Sequence, residues 1–372
     1  MSAEGVSPTR ERAVHLSGGD AGAVEGPLKG YHHETYVIPL PEAAGEDEDD
    51  EDGEPVRAKC RAPRGGLLWF DRRCFVSEEQ LLEALQGRIA GIPELIEVGE
   101  IRLQRFIEGR TLGSRYAAGR MVPERVLDQI LDLFRQLIRI SPESLAAERR
   151  CVQEDRAEDG DCEGFLEGLV RFAEERVYRD NLADFEGLFG ALGVDEDSFR
   201  ALRKHVVVPG LAERPFCLLH ADLHRENFVL DPAARLWTID WELAMLGDPL
   251  YDLATHLYLM RYPAEQEVRL TERWCALAEQ IRPGSTEGWQ DDLPRLLDFK
   301  RAQSVFTDVV RATQILDNGR AFNWRRWPAE ARKVQRVLAR AAVPLGLDDV
   351  PNLRTVAASL LEWYRLRDPR TS

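Results

Sequence analysis

Residues 216–254 read FCLLHADLHRENFVLDPAARLWTIDWELAMLGDPLYDLA. An apolar run, Cys217-Leu218-Leu219, delivers His220, Ala221 and Asp222 at its end. Asn227 follows five residues after Asp222. Then FVLD, a Pro-Ala-Ala turn and LWTI form a hairpin pattern that leads to Asp240. Each polar group therefore falls at the mouth of a short strand or in the tight loop beside it. A lone HxD or DxxxxN pair arises easily by chance, because Asp and Asn favour turns. Turn chemistry alone does not explain three polar blocks in this order and spacing.

Phosphoryl transfer needs such a set. One carboxylate accepts a hydrogen bond from the attacking hydroxyl, and hard oxygen ligands hold magnesium on the β- and γ-phosphates. HADLHREN places His, Asp and Asn at the spacing of H-R-D-x-x-x-x-N, with Ala221 at the middle position. The strip HADLHREN, IDWE and GDPLYDLA resembles the aminoglycoside phosphotransferase and choline kinase family, whose usual strip is HGDxHxxN, IDWE or IDFE, and GDPxxDLA. Ala221 stands where that family commonly has Gly. The resemblance implies an α+β, protein-kinase-like two-lobed fold, with a small β-rich N-lobe and a large, mostly helical C-lobe. It also implies ATP, with GTP as the alternative nucleotide, and Mg2+. Asp222 then corresponds to the catalytic base, and Asn227 and Asp240 to the metal ligands. His220 corresponds to the buried orienting histidine, and Asp248 and Asp252 to structural aspartates that cap the next helix and brace the loop. His224 and Glu242 are candidates to reach substrate or metal.

Working back from this strip, residues 26–108 read as the nucleotide-binding N-lobe, mostly strands with one helix, and residues 109–372 as the C-lobe. Residues 1–25 are small, polar and Gly-rich, and read as a flexible tail. Strands are expected over 28–40, 55–61, 66–70, 95–98 and 101–106. Gly30, Tyr31, His32 and His33 occupy the place of the phosphate-covering turn. Val56-Arg57-Ala58-Lys59 resembles the V-A-I-K strand, so Lys59 is expected on the α- and β-phosphates. Ser77 reads as a helix N-cap with Glu78 and Glu79 in the first turn. Glu78 shares a face with Leu82 and Leu85, points inward, and is the expected partner of Lys59. Arg105 and Phe106 fall at the hinge, where adenine would meet backbone. Gly45–Glu54 carries eight acids in ten residues and reads as a solvated loop.

The formal net charge of −16 argues against a nucleic-acid partner, which needs clustered Lys and Arg. It is compatible with a cationic acceptor, although an acidic surface also simply keeps a protein soluble. The six cysteines contain no CxxC pair and read as reduced, buried thiols. No apolar run approaches the ~18–20 residues of a membrane span, and the N-terminus lacks a signal-peptide core, so a cytoplasmic protein is expected. The expected partner is a small molecule with a hydroxyl, whether an aminoglycoside or other antibiotic, choline, homoserine or a sugar. The pocket for it is expected from 160–167 and 299–317, with Phe322, Trp324 and Trp327 read as core packing. Two alternatives stand beside this: a nucleotide-binding or regulatory protein without transfer, and a protein-kinase-like enzyme. The second is disfavoured because GDP follows Asp240 within eight residues, leaving no activation loop.

Overall fold

A computed structural model describes residues 7–28, 30, 33–40, 56–64, 72–317, 319 and 321–367. It is 51% helical with small sheets. Among the described residues the strands are β1 (His33–Pro39), β2 (Arg57–Pro63), β3 (Leu95–Val98), β4 (Ile101–Arg105), β5 (Arg110–Thr111), β6 (Cys217–Leu219), β7 (Phe228–Leu230), β8 (Leu236–Thr238) and β9 (Met245–Gly247). The helices are α1 (Pro8–Leu16), α2 (Glu78–Leu85), α3 (Leu112–Arg115), α4 (Glu124–Ile138), α5 (Cys162–Phe172), α6 (Leu182–Ala191), α7 (Glu196–Val206), α8 (Pro249–Met260), α9 (Ala264–Ile281), α10 (Trp289–Leu316), α11 (Trp327–Ala341) and α12 (Leu353–Arg367). None of the described helices is long and apolar enough to cross a membrane.

The first sheet is antiparallel, in the order β1-β2-β4-β3. Val37 pairs with Lys59 and Lys59 with Gln104, so one row of side chains runs across three strands. Tyr36, Ile38, Ala58, Cys60 and Leu103 form its apolar cluster, together with Ala13 of α1. The flexible tail expected over 1–25 is thus corrected for residues 8–16, which form a helix. Ser7 caps it by accepting the Arg10 N–H at 3.2 Å, Pro8 opens it, and Ala13 is fully buried against the sheet. The glycines that suggested a tail cluster after Leu16, so composition averaged over the segment hid the helix. Tyr31, His32, the acidic run 45–54 and the strand expected at 66–70 lie outside the described residues.

Ser77 caps α2, accepting from Glu79 N–H at 3.1 Å and Gln80 N–H at 3.3 Å. Leu81, Leu82 and Leu85 are fully buried in a second, much larger core that runs from α2 through α12. The long α10 packs against α7, α8, α11 and α12. Two small sheets sit on this helical body: β5-β7-β8 and the pair β6-β9. The pairing Cys217↔Gly247 holds the strand before Asp222 beside the strand that leads to Asp248.

Candidate functional site

The loop between β6 and β7 carries His220, Asp222, His224 and Asn227, and Asp240 follows β8. Two residues here hold left-handed backbone: Ala221 at φ +62° and Asp240 at φ +66°. Such geometry is costly for a residue with a Cβ, and strain of this kind concentrates at functional sites. At Ala221 it explains why glycine suits the position.

Asp222 is held from two sides. Asn227 Nδ2 donates to Asp222 Oδ2 at 3.1 Å and to its backbone carbonyl at 2.9 Å. His224 Nε2 lies 3.4 Å from Asp222 Oδ2, and its Nδ1 accepts the Glu226 N–H at 3.1 Å. Burial pushes the Asp222 carboxyl up, but the hydrogen bond and charge of His224 prevail and hold it below the usual range. The same contact raises His224 against its own burial. His220 is fully buried, packed at a tilt against Trp241 with ring centroids 4.6 Å apart, and its Nε2 lies 3.2 Å from the Ile239 carbonyl. Burial lowers it to about 4, so it stays neutral at neutral pH.

Four carboxylates converge here. Asp240 is pushed up to about 7, first by burial and then by the charges of Glu78, Glu242 and Asp222. A cation at this point would relieve that repulsion, and the donors are the hard oxygens magnesium prefers. Asn227 spends its amide N–H groups on Asp222 and so offers Oδ1 as an acceptor. No group of three or more His, Cys, Asp or Glu among the described residues could hold a metal alone. Magnesium is usually bound by one or two carboxylates plus phosphates and water.

Asp222, His224, Asn227, Asp240 and Glu242 share one groove of about 710 Å3 with Gly30, His33, Lys59, Arg61 and Gln104. Lys59 therefore faces the loop across the groove, and burial lowers its ammonium despite Glu78 and Asp240 nearby. Glu78 is buried and points inward as expected, but its ion-pair partner is Arg61, two residues beyond Lys59 on the same strand face. Its Oε1 also accepts the Trp241 N–H at 2.9 Å. Glu242 is held by Arg73 at 2.6 Å and lies 3.6 Å from His33 Nδ1. Burial, then Arg61 and Arg73, lower His33 to about 4.

At the expected hinge, two backbone amides already have partners within the chain. The Arg105 N–H donates to the Glu94 carbonyl at 2.8 Å and the Phe106 N–H to the Arg57 carbonyl at 2.7 Å, so both amides are already used. The β4 residue on the groove is Gln104, which is buried and whose Nε2 has no hydrogen-bond partner. Sequence reasoning missed it because a polar residue in an alternating strand looks like an outward position. Arg61 was missed for the same reason.

Asp248 and Asp252 do what was expected of them. Asp248 caps α8 through the Leu250 N–H at 2.9 Å. It also takes a bidentate pair from Arg214 at 2.8 and 2.7 Å, fully buried, with Asp292 on the other side of the guanidinium at 2.7 Å. Asp252 accepts the backbone N–H groups of His220 and Ala221. Arg225 is a further buried strut, donating to the carbonyls of Met260, Tyr116 and Arg120 at 2.9, 2.9 and 3.1 Å.

The far wall of the groove comes from α8, α10 and α11: Tyr258, Lys300, Gln303, Thr307, Asp308 and Lys333. Of the segments expected to line it, α10 does so, while Phe165 of the 160–167 segment lines a different cavity. Phe322 packs against Trp324, Trp327 and Tyr364 rather than on the groove.

A sequence profile of the phosphotransferase enzyme family matches residues 76–290, more than half of the chain. Among solved structures, the chain is similar to a choline/ethanolamine kinase family protein from Mesorhizobium loti. That pair has 16% identity and a TM-score of 0.46, over 94% of this chain and 97% of the other. It is similar to the choline kinase LicA of Streptococcus pneumoniae at 17% identity and a TM-score of 0.47, over 90% and 97%. A macrolide 2'-phosphotransferase from Brachybacterium faecium matches at 14% identity and a TM-score of 0.47, over 89% and 95%.

Proposed function

We propose that this chain, which belongs to the phosphotransferase enzyme family, moves the γ-phosphate of ATP to a hydroxyl of a small molecule. The observation that supports this best is the single groove shared by Asp222, Asn227, Asp240 and, from the first sheet, Lys59. In this reading the first sheet with α1 and α2 is the small lobe, the remainder is the large lobe, and the nucleotide lies between them.

Asp222 is ionised and held in orientation by Asn227 and His224. It accepts the hydrogen bond of the acceptor hydroxyl and takes its proton as the oxygen attacks the γ-phosphorus. The bond to the β-phosphate oxygen breaks and ADP leaves. Lys59 neutralises the nucleotide phosphates, with Gly30 and His33 on the same side of the groove. Asn227 Oδ1 and the Asp240 carboxylate would hold magnesium, whose charge offsets that on the phosphates. His220, neutral and buried, fixes the loop and moves no proton. Glu242, already held by Arg73, positions the wall rather than receiving substrate.

The acceptor lies against α10 and α11. That wall carries both signs of charge, with Lys333 paired to Asp308 at 2.8 Å, so we read the acceptor as a polar, hydroxylated molecule. The test is transfer of labelled γ-phosphate from Mg-ATP and Mg-GTP to a panel of aminoglycosides, other antibiotics, choline, ethanolamine, homoserine and simple sugars. Wild type should label one acceptor class, and Asp222→Asn should lose ~100-fold or more of that rate. Equal labelling by both proteins would remove Asp222 from the chemistry. Tight Mg-nucleotide binding with no acceptor labelled would favour the reading of a nucleotide-binding protein without transfer.

A further inference from the structure

Away from the groove, a cavity of about 60 Å3 is lined by Arg72, Cys74, Arg149, Cys151 and Arg156. The two cysteines are 77 residues apart in sequence. An antiparallel bridge, Phe75↔Arg149, brings their segments together. The Arg150 N–H donates to the Cys74 carbonyl at 2.9 Å, and the Val76 N–H to the Glu148 carbonyl at 3.1 Å. Cys151 Sγ lies 3.8 Å from the Cys74 carbonyl oxygen, and both cysteines line the same cavity. Both are reduced.

The two sulfurs are in different settings. Cys74 is buried, whereas Cys151 is half-buried. The neighbouring Cys74 thiol, then the guanidinium of Arg156 and the charge of Arg72, bring Cys151 down to about 6 against its burial. Cys74 is pushed well up, first by the neighbouring Cys151 thiol and then by burial. Arg156 is anchored to the Cys151 carbonyl at 3.1 and 2.7 Å, and the buried Arg72 Nε has no hydrogen-bond partner. The acids on the wall are engaged elsewhere: Asp155 with Arg171 at 3.0 Å, and Asp159 with the Phe216 N–H at 2.6 Å.

We propose that Cys74 and Cys151 form a peroxide-reactive dithiol in which Cys151 attacks and Cys74 resolves. The Cys151 thiolate attacks one oxygen of hydrogen peroxide. An S–O bond forms, the O–O bond breaks, and the departing hydroxide takes a proton to become water. Cys74 then gives up its proton and attacks the sulfenic sulfur. The S–S bond forms, the S–O bond breaks, and a second water leaves. Two thiols lose two electrons and the peroxide becomes two waters. A cavity of this size holds a few water-sized molecules, so it admits peroxide while excluding bulkier oxidants. The dithiol adjoins the candidate site through Arg73, the neighbour of Cys74 that holds Glu242.

The experiment titrates the reduced full-length chain with hydrogen peroxide and maps peptides without reduction. The expected result is a Cys74–Cys151 linkage at about one equivalent of peroxide, before Cys60, Cys162, Cys217 or Cys275 changes. Cys74→Ser should accumulate a sulfenic acid at Cys151 that dimedone captures, and Cys151→Ser should leave Cys74 unoxidised. Alkylation of Cys151 should reach half its limiting rate near pH 6, well below the ~8.5 of a free thiol. Earlier oxidation of another cysteine, or alkylation at the rate of a free thiol, would overturn the assignment. The wild-type map and alkylation profile decide it even where a variant fails to fold.

Discussion

Ala221 donates its backbone N–H to Asp252 Oδ1 at 2.8 Å while standing at φ +62°. The other Asp252 oxygen takes the His220 N–H at 3.1 Å. The bend that presents Asp222 is therefore held by one carboxyl of α8. Removing that carboxyl leaves two buried donors unpaired at ~1–3 kcal/mol each. Asp252→Ala should cost about 2–5 kcal/mol of stability, checked by urea unfolding. A loss under 1 kcal/mol would show that the loop holds its bend without the brace.

The backbone angle makes its own prediction. Ala221→Gly should be neutral or stabilising by up to ~1 kcal/mol, because relief of left-handed strain is partly offset by glycine's entropy. Ala221→Val should destabilise by ~1–3 kcal/mol, since a β-branched residue fits that conformation worst. Equal melting temperatures for Gly and Val variants would contradict the strained geometry.

Arg214 and Asp248 form a buried pair with Asp292 on the guanidinium's other edge. Removing one partner strands buried charge, so Arg214→Met should cost roughly 3–5 kcal/mol. Arg214→Met with Asp248→Asn and Asp292→Asn should recover part of that loss. A single variant as stable as wild type would mean the interior tolerates these carboxylates unpaired.

What was legible in the sequence is what local chemistry writes. Ser77 and Asp248 cap helices, and capping is a matter of two or three residues. Asp222, Asn227 and Asp240 lie in one strip, so their spacing and the family resemblance together predicted that they meet. Partners from distant segments leave no such mark. Nothing around Glu78 distinguishes Arg61 from Lys59 as its mate, since both face the same side of β2. Nothing in HADLHREN marks Arg225 as buried, yet three carbonyls from two distant segments enclose it. Cys74 and Cys151 read as idle thiols because the bridge that joins them is tertiary.

Acid should expose the buried histidines. His256 Nδ1 lies 3.0 Å from the Leu223 carbonyl and its Nε2 3.0 Å from Tyr262 Oη. Burial lowers it to about 3. In the unfolded chain it takes a proton near 6.5, so as pH falls below that value protons accumulate on the unfolded state. Its contribution to stability is complete above pH 6.5 and is lost progressively towards pH 3. Asp252, raised to about 6 by burial, works in the opposite sense: its contribution is greatest at low pH and fades as pH rises through 6. His256→Gln should therefore flatten the fall in melting temperature between pH 6.5 and 4.5. Parallel curves for wild type and variant would show that His256 is not held neutral.

The proposed division of labour, with Asp240 serving the metal and nucleotide and Asp222 serving the acceptor, predicts different binding behaviour for two neighbouring carboxylates. The most direct measurement is calorimetric titration of ATP, with and without Mg2+, into wild type, Asp222→Asn and Asp240→Asn. Asp222→Asn should bind Mg-ATP within a few-fold of wild type, and Asp240→Asn should lose the gain that magnesium confers. Undiminished Mg-dependent binding in Asp240→Asn, or its loss in Asp222→Asn alone, would contradict the account.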